Sequence, residues 1–162
     1  MIDYQRLFHV GVRVPDLDQA MAELGETLSV TWATAQHYRA MTVWTPAGGT
    51  QTFDLQFTYS SEGPQHLELL QGEVGSPWDG SGEPGVHHLG VWVDDVVIET
   101  ERCRSLGWDL VAAGAAPGDG YGAFTYLAPP SGAIVELVSG AVRPVFERWW
   151  AGGSLGADRD ES

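Results

Sequence analysis

The chain has 162 residues, 43% of them hydrophobic and 19% charged, the size and polarity of a domain with its own core, which excludes a disordered or collagen-like chain. Its 22 acidic residues against 8 basic ones leave a formal charge of -14, so nucleic-acid backbones and anionic membrane surfaces are excluded as partners by repulsion. All the basic residues are arginine, leaving no lysine for a Schiff base, and the single cysteine, Cys103, has no internal disulfide partner and reads as small core filler in a reducing compartment.

No apolar run approaches the roughly 18 residues needed to cross a membrane. Residues 1–8 lack the apolar core of a signal peptide, so a cytoplasmic location is expected. The first element is a strand, in which Val10, Val12 and Val14 alternate with His9, Gly11 and Arg13. Asp16, with Gln19 three residues on, marks a helix start of the capping-box type, and Leu17, Met21, Leu24 and Leu28 give that helix an apolar stripe. Strands are expected over 39–45, 51–59 and 65–71. Residues 72–85 (GEVGSPWDGSGEPG) are too polar and glycine-laden for an element and read as a turn-rich linker.

The pattern then begins again. FHVGVRVPDLD lies over HHLGVWVDDVV at a constant offset of 79, with Leu89, Val91 and Val93 alternating with His88, Gly90 and Trp92. Asp94 or Asp95 opens the second helix, Val96, Cys103 and Leu106 supply its buried side, and Gly107 is a left-handed stop. Strands are expected over 108–113, 122–128 and 133–139. Residues 114–122 (GAAPGDGYG) precede a strand and lack the Lys-Ser/Thr ending of a phosphate loop, so they read as a mobile loop at a pocket mouth with Tyr121 as a contact. The helix at about 143–151 places Phe146, Trp149 and Trp150 to dock on the body or across a dimer interface, and 152–162 read as a flexible acidic tail. The expected fold class is α+β. Two βαβββ modules, about 5–71 and 86–140, pair into one curved mixed sheet around a metal-centred cavity, forming a single domain over 1–151.

The last strand of each module carries a glutamate among apolar residues, Glu68 in HLELL and Glu136 in IVELV. A carboxylate in such a run needs compensation, because isolated burial of charge is costly. His9, Glu68, His88 and Glu136 occupy corresponding places in the two repeats and make a four-ligand set for one divalent ion (Zn, Ni, Co, Fe or Mn), with room for water or a substrate oxygen. A lone strand histidine is more often a hydrogen-bonded core residue and a lone strand glutamate more often solvated; their equivalence across the repeat favours the metal. His87 replaces His88 if the strand start shifts by one residue, and His66 shares the face of Glu68 as an outer partner. Strand parity puts Arg13 and Trp92 on the histidine face, the first as a handle for a substrate carboxylate or phosphate. Trp92 then serves as an aromatic wall. With Trp44, Phe53, Phe57, Tyr59, Tyr121 and Tyr126 this inventory suits a bulky, largely apolar small-molecule substrate.

The motifs FHVGVRVPDLDQAM, HLELLQG, GVHHLGVWVDDV and PPSGAIVELVS resemble the vicinal oxygen chelate superfamily, which includes glyoxalase I, methylmalonyl-CoA epimerase, extradiol dioxygenases and the fosfomycin and bleomycin resistance proteins. The resemblance spans about residues 8–139. It implies paired βαβββ modules, a homodimer, and a metal at His9, Glu68, His88 and Glu136. The second half is most similar to the epimerase branch, which implies proton removal and return at a carbon beside a carbonyl that the metal polarises, with Glu136 as first candidate base and Glu68 as second. That branch usually supplies a further glutamate from the middle of its first half, yet no acidic residue occurs here between Glu26 and Asp54. His37, Tyr38 or Asp54 then substitutes, or one metal-bound glutamate serves each face. The family implies two competing functions: a metal-free dimeric sequestration protein of the bleomycin-resistance type, for which the negative charge favours a cationic drug, and an iron extradiol dioxygenase, for which Glu68 is surplus.

Overall fold

The computed structural model describes residues 2–156. Its elements run β1 (Leu7–Arg13), α1 (Leu17–Leu28), β2 (Gln36–Thr45), β3 (Gly49–Tyr59), β4 (His66–Gly72), β5 (Gly85–Val93), α2 (Val96–Ser105), β6 (Asp109–Ala113), β7 (Phe124–Ala128), β8 (Val135–Ser139) and α3 (Arg143–Trp150). This is βαβββ twice, followed by one helix. Residues 157–162 of the expected acidic tail lie outside the described residues.

The eight strands form one mixed α+β sheet, curved until it closes as a barrel in the order β1-β4-β3-β2-β6-β7-β8-β5. Within each module the first and last strands run parallel, β1 with β4 and β5 with β8. The modules meet along antiparallel β1 and β5, and the far edge closes only where Trp44 pairs with Ala113. Pairing β1 with β5 sets the two repeats side by side, so equivalent residues of the two halves face one another.

The helices start where the acidic caps put them. The Asp16 carboxylate accepts from the Gln19 backbone N–H at 2.8 Å, and that of Asp95 from Ile98 at 2.9 Å. The capping box at α1 is only half made, because the Gln19 side chain turns to Glu23 instead. Gly107 follows α2 with φ 85°, the left-handed conformation a glycine adopts without strain. Outside the barrel, Val14, Leu17, Ala20 and Leu69 pack between α1 and the sheet, and Val93, Val96, Cys103, Leu127 and Leu137 between α2 and the sheet. Cys103 is core filler, as its sequence context suggests.

A third cluster fills the barrel interior and draws on an unexpected segment. Trp78, in the connector read as loop, is 1% exposed and packs with Phe8, Phe57, Tyr59 and Tyr126. Helix α3 covers the same cluster from its own chain, with Trp149 fully buried and its indole N–H donating to the Thr34 carbonyl at 3.0 Å. No helix of the described residues is long and apolar enough to cross a membrane.

Candidate metal centre

At the seam between the modules, β1 supplies His9, β4 Glu68, β5 His88 and β8 Glu136, and all four side chains are buried. The two Nε2 atoms stand 2.7 Å apart. His9 Nε2 lies 3.3 Å from Glu68 Oε2 and 3.1 Å from Glu136 Oε2; His88 Nε2 lies 3.1 Å and 3.4 Å from the same oxygens. His9, His88 and Glu136 each offer one ligand atom, all within 4.8 Å of one another.

Two glycines make this convergence possible. In the register of β1 on β5, His9 pairs with Gly90 and Gly11 with His88, so each imidazole lies across the glycine of the opposite repeat. A Cβ on Gly90 would sit 1.9 Å from His9 Cε1, and one on Gly11 2.0 Å from His88 Cε1. The repeated His-x-Gly triplet therefore encodes a reciprocal fit: each half clears space for the other's ring.

The electrostatics follow from burial and pairing. Burial alone depresses the His88 imidazole, but Glu136 and Glu68 outweigh it and push it up to about 9; His9 is raised by the same balance. Burial works to raise both carboxyls, yet the imidazoles prevail: Glu68 is held well below its usual range, chiefly by His9, and Glu136 is lowered, chiefly by His88. Tyr59 pairs in register with Glu68, and Tyr126 with Glu136. Burial first, then those carboxylates, push both phenols well above their ordinary value. The Trp78 indole donates to the Tyr126 hydroxyl at 3.0 Å, fixing the second pair.

This donor set fits a divalent cation. Glu68 Oε2 is buried without a hydrogen-bond partner, and two imidazolium N–H groups aimed at each other across 2.7 Å would repel. Two neutral imidazoles and two carboxylates around one divalent ion remove both problems. His87, the alternative to His88, stands behind it with the two Nδ1 atoms 3.0 Å apart, an outer hydrogen bond of the kind that orients a metal-binding ring. Burial, then His88 and Arg13, lower the His87 imidazole to about 4, which leaves it neutral and able to accept. His66 is buried but does not bond Glu68. Its Nδ1 pairs with the Ser60 carbonyl at 2.6 Å and its ring stacks on Trp150 at 3.7 Å.

Glu68 and Glu136 border a cavity of about 460 Å³ whose other walls include Phe8, Tyr38, Phe57, Trp78, Phe124 and Phe146. Three residues expected beside it lie elsewhere. Arg13 stands at the end of β1, where Glu83 of the connector takes its charge at 3.4 Å. Trp92 is screened by Phe8, which stacks on it at 3.7 Å; a register shift between Leu7 and His9 turns Phe8 inward as well as His9. Tyr121 has φ 65° between two positive-φ glycines, a turn that swings its ring under α2, where its hydroxyl meets Glu101 and Arg104. Of the residues considered as replacements for the absent glutamate, His37 and Asp54 pair with each other at 2.8 Å away from the cavity lining, while Tyr38 reaches it. Gly11, Gly90, Trp78 and the two Tyr–Glu pairings were not singled out from the sequence. The repeated glycines were visible within the aligned triplets, and Trp78 as a lone large aromatic in a polar run.

Three comparisons bear on this site. A family model described as the Glyoxalase/Bleomycin resistance protein/Dioxygenase superfamily matches residues 8–126. No curated protein matches the sequence. Among solved structures, a methylmalonyl-CoA epimerase of Streptomyces coelicolor is similar at 20% identity and TM-score 0.59, covering 84% of this chain and 94% of that one. The epimerase of Mycobacterium tuberculosis is similar at 19% identity and TM-score 0.53, covering 86% and 92%. A hypothetical protein from Bacillus halodurans is similar at 17% identity and TM-score 0.57, covering 82% and 92%. At these identities the likeness is one of fold.

Proposed function

This chain belongs to the Glyoxalase/Bleomycin resistance protein/Dioxygenase superfamily, and from that premise we propose that it is a divalent-metal-dependent enzyme of the isomerase, epimerase or lyase kind, working by proton transfer beside a carbonyl. The observation that carries the reading is the convergence of two imidazoles and two carboxylates, from equivalent strands of two repeats, at the border of a largely apolar cavity. Solved epimerases of this fold support the choice of reaction class.

His9, Glu68, His88 and Glu136 would hold the ion, which when bound supplies a Lewis acid for a carbonyl oxygen and so eases loss of the neighbouring proton. Glu136 is the first candidate to accept that proton and Glu68 the second, since both border the cavity. The Trp78–Tyr126 hydrogen bond fixes the side chain paired with Glu136, and Tyr59 stands equivalently beside Glu68.

Two measurements test the reading. Protein purified without chelator is expected to carry one divalent ion per chain, and His9→Ala to lose it. In deuterium oxide the loaded protein is expected to exchange the proton beside the carbonyl in a panel of 2-oxo compounds and acyl thioesters, while Glu136→Gln stays folded and loses the exchange. Absence of stoichiometric ion after reconstitution, or undiminished exchange in both Glu136→Gln and Glu68→Gln, refutes it.

A further inference from the structure

The cavity walls identify a class of ligand. Among the described residues no arginine lines the cavity, the chain has no lysine, and the charged groups on its wall are Glu68 and Glu136. Elsewhere Arg6 is spent on Asp94, Arg13 on Glu83, Arg102 on Glu99, Arg104 on Glu101 and Arg143 on Glu147. A divalent ion between two carboxylates and two neutral imidazoles sums to zero formal charge, so the centre as a whole exerts less long-range pull on an anion than an arginine would. The formal charge of -14 adds a long-range barrier to any polyanion. Apart from Thr42, the remaining wall is aromatic and aliphatic, with Phe57, Trp78, Phe124 and Phe146 offering ring faces and edges.

We infer that this cavity accepts an uncharged substrate with an aromatic or comparably apolar body, and rejects carboxylate-bearing substrates and coenzyme A thioesters. The inference rests on the reading of this cavity as the substrate site. It separates the chain from the methylmalonyl-CoA epimerases whose fold it shares, because an ionised carboxylate buried here meets two glutamates and no arginine or lysine to pair with.

The test uses the full chain loaded with zinc and two matched probes, 2-hydroxyacetophenone and its 4-carboxylate, with malonyl-CoA as a third. Binding is read by quenching of tryptophan fluorescence, to which Trp78 in the wall contributes, and by ligand-observed NMR. The uncharged probe is expected to bind at least about tenfold more tightly than each charged one. Thr42 lines the cavity at an exposed position, and Thr42→Arg is expected to narrow the gap by tightening the carboxylate probe. A carboxylate or thioester probe that matches or exceeds the uncharged one overturns the inference, as does a Thr42→Arg variant that leaves the carboxylate unchanged. Zinc uptake is measured on the same samples. Zinc bound with an anionic preference overturns this inference and leaves the proposed function standing, whereas an uncharged preference without zinc uptake supports the cavity's selectivity and overturns the metal-dependent reaction.

Discussion

The substitution Gly90→Ala puts the reciprocal packing at the seam to the sharpest test. Gly90 has an ordinary strand conformation, so its backbone accepts an L residue, and alanine alone would gain about 0.4–1 kcal/mol through the unfolded chain. Against that gain, the new methyl lies 1.9 Å from His9 Cε1, 2.1 Å from Nδ1 and 2.5 Å from Nε2. Carbon atoms in contact sit about 3.5–4.0 Å apart, so the ring must retreat by about 1.5 Å. Metal sites tolerate roughly 0.2 Å of error in a ligand distance, so His9 is expected to leave the coordination sphere and affinity for the ion to fall by at least about 100-fold. Overpacking in a full interior costs about 1–3 kcal/mol, which outweighs the alanine gain and leaves the metal-free variant about 1–2 kcal/mol less stable. Chemical denaturation of chelated protein and a competitive zinc titration read the two effects separately. The cycle closes in a His9→Ala background, where the obstructed ring is gone and Gly90→Ala is expected to be neutral or stabilising. Equal destabilisation in both backgrounds, or zinc affinity within threefold of the parent, would refute the reciprocal packing. Gly82→Ala, where an added Cβ meets nothing within 4 Å, serves as the silent control.

Other outcomes follow from the same geometry. In the metal-free protein His88 is raised to about 9 and His9 is also raised, so at pH 7 the ion must displace at least one proton; affinity is expected to climb about tenfold per pH unit per proton until pH 9, read by titration in buffers of different ionisation enthalpy. For the chelated protein, imidazoles with raised folded-state values stabilise fully below about pH 6.5 and lose that contribution as pH rises through about 9, so urea midpoints are expected to fall between pH 6.5 and 9.5. Trp78→Phe removes the donor to the Tyr126 hydroxyl and is expected to cost about 1–3 kcal/mol while the barrel persists, measured by thermal and urea unfolding.

The duplication carried most of the fold in plain view. An offset of 79 with period-two valines and an acidic cap in each copy dictates two strand-helix starts, and β1 and β5 occupy those places. The glutamates were legible for a different reason: a charge inside HLELL or IVELV has to be compensated, and the structure sets both beside imidazoles. Parity, which tracks only up and down along an ideal strand, could not supply the rest. A register shift turns Phe8 inward over Trp92, and a positive φ carries Tyr121 beneath α2. Trp78 was hidden because periodicity has no purchase on a segment without regular structure, although so large a side chain in a polar run has a strong drive to be buried.

The seating of Trp78 gives the chain an independent dial on its chamber. Loops ordinarily absorb insertions and deletions at the periphery, where length drifts without consequence. Here the segment joining the repeats contributes an interior panel, while His9, Glu68, His88 and Glu136 all stand on strands. Lengthening or shortening residues 72–85 would therefore resize the space for a guest and leave the chemistry at its border untouched, a route by which one duplicated framework can acquire new clients through its splice.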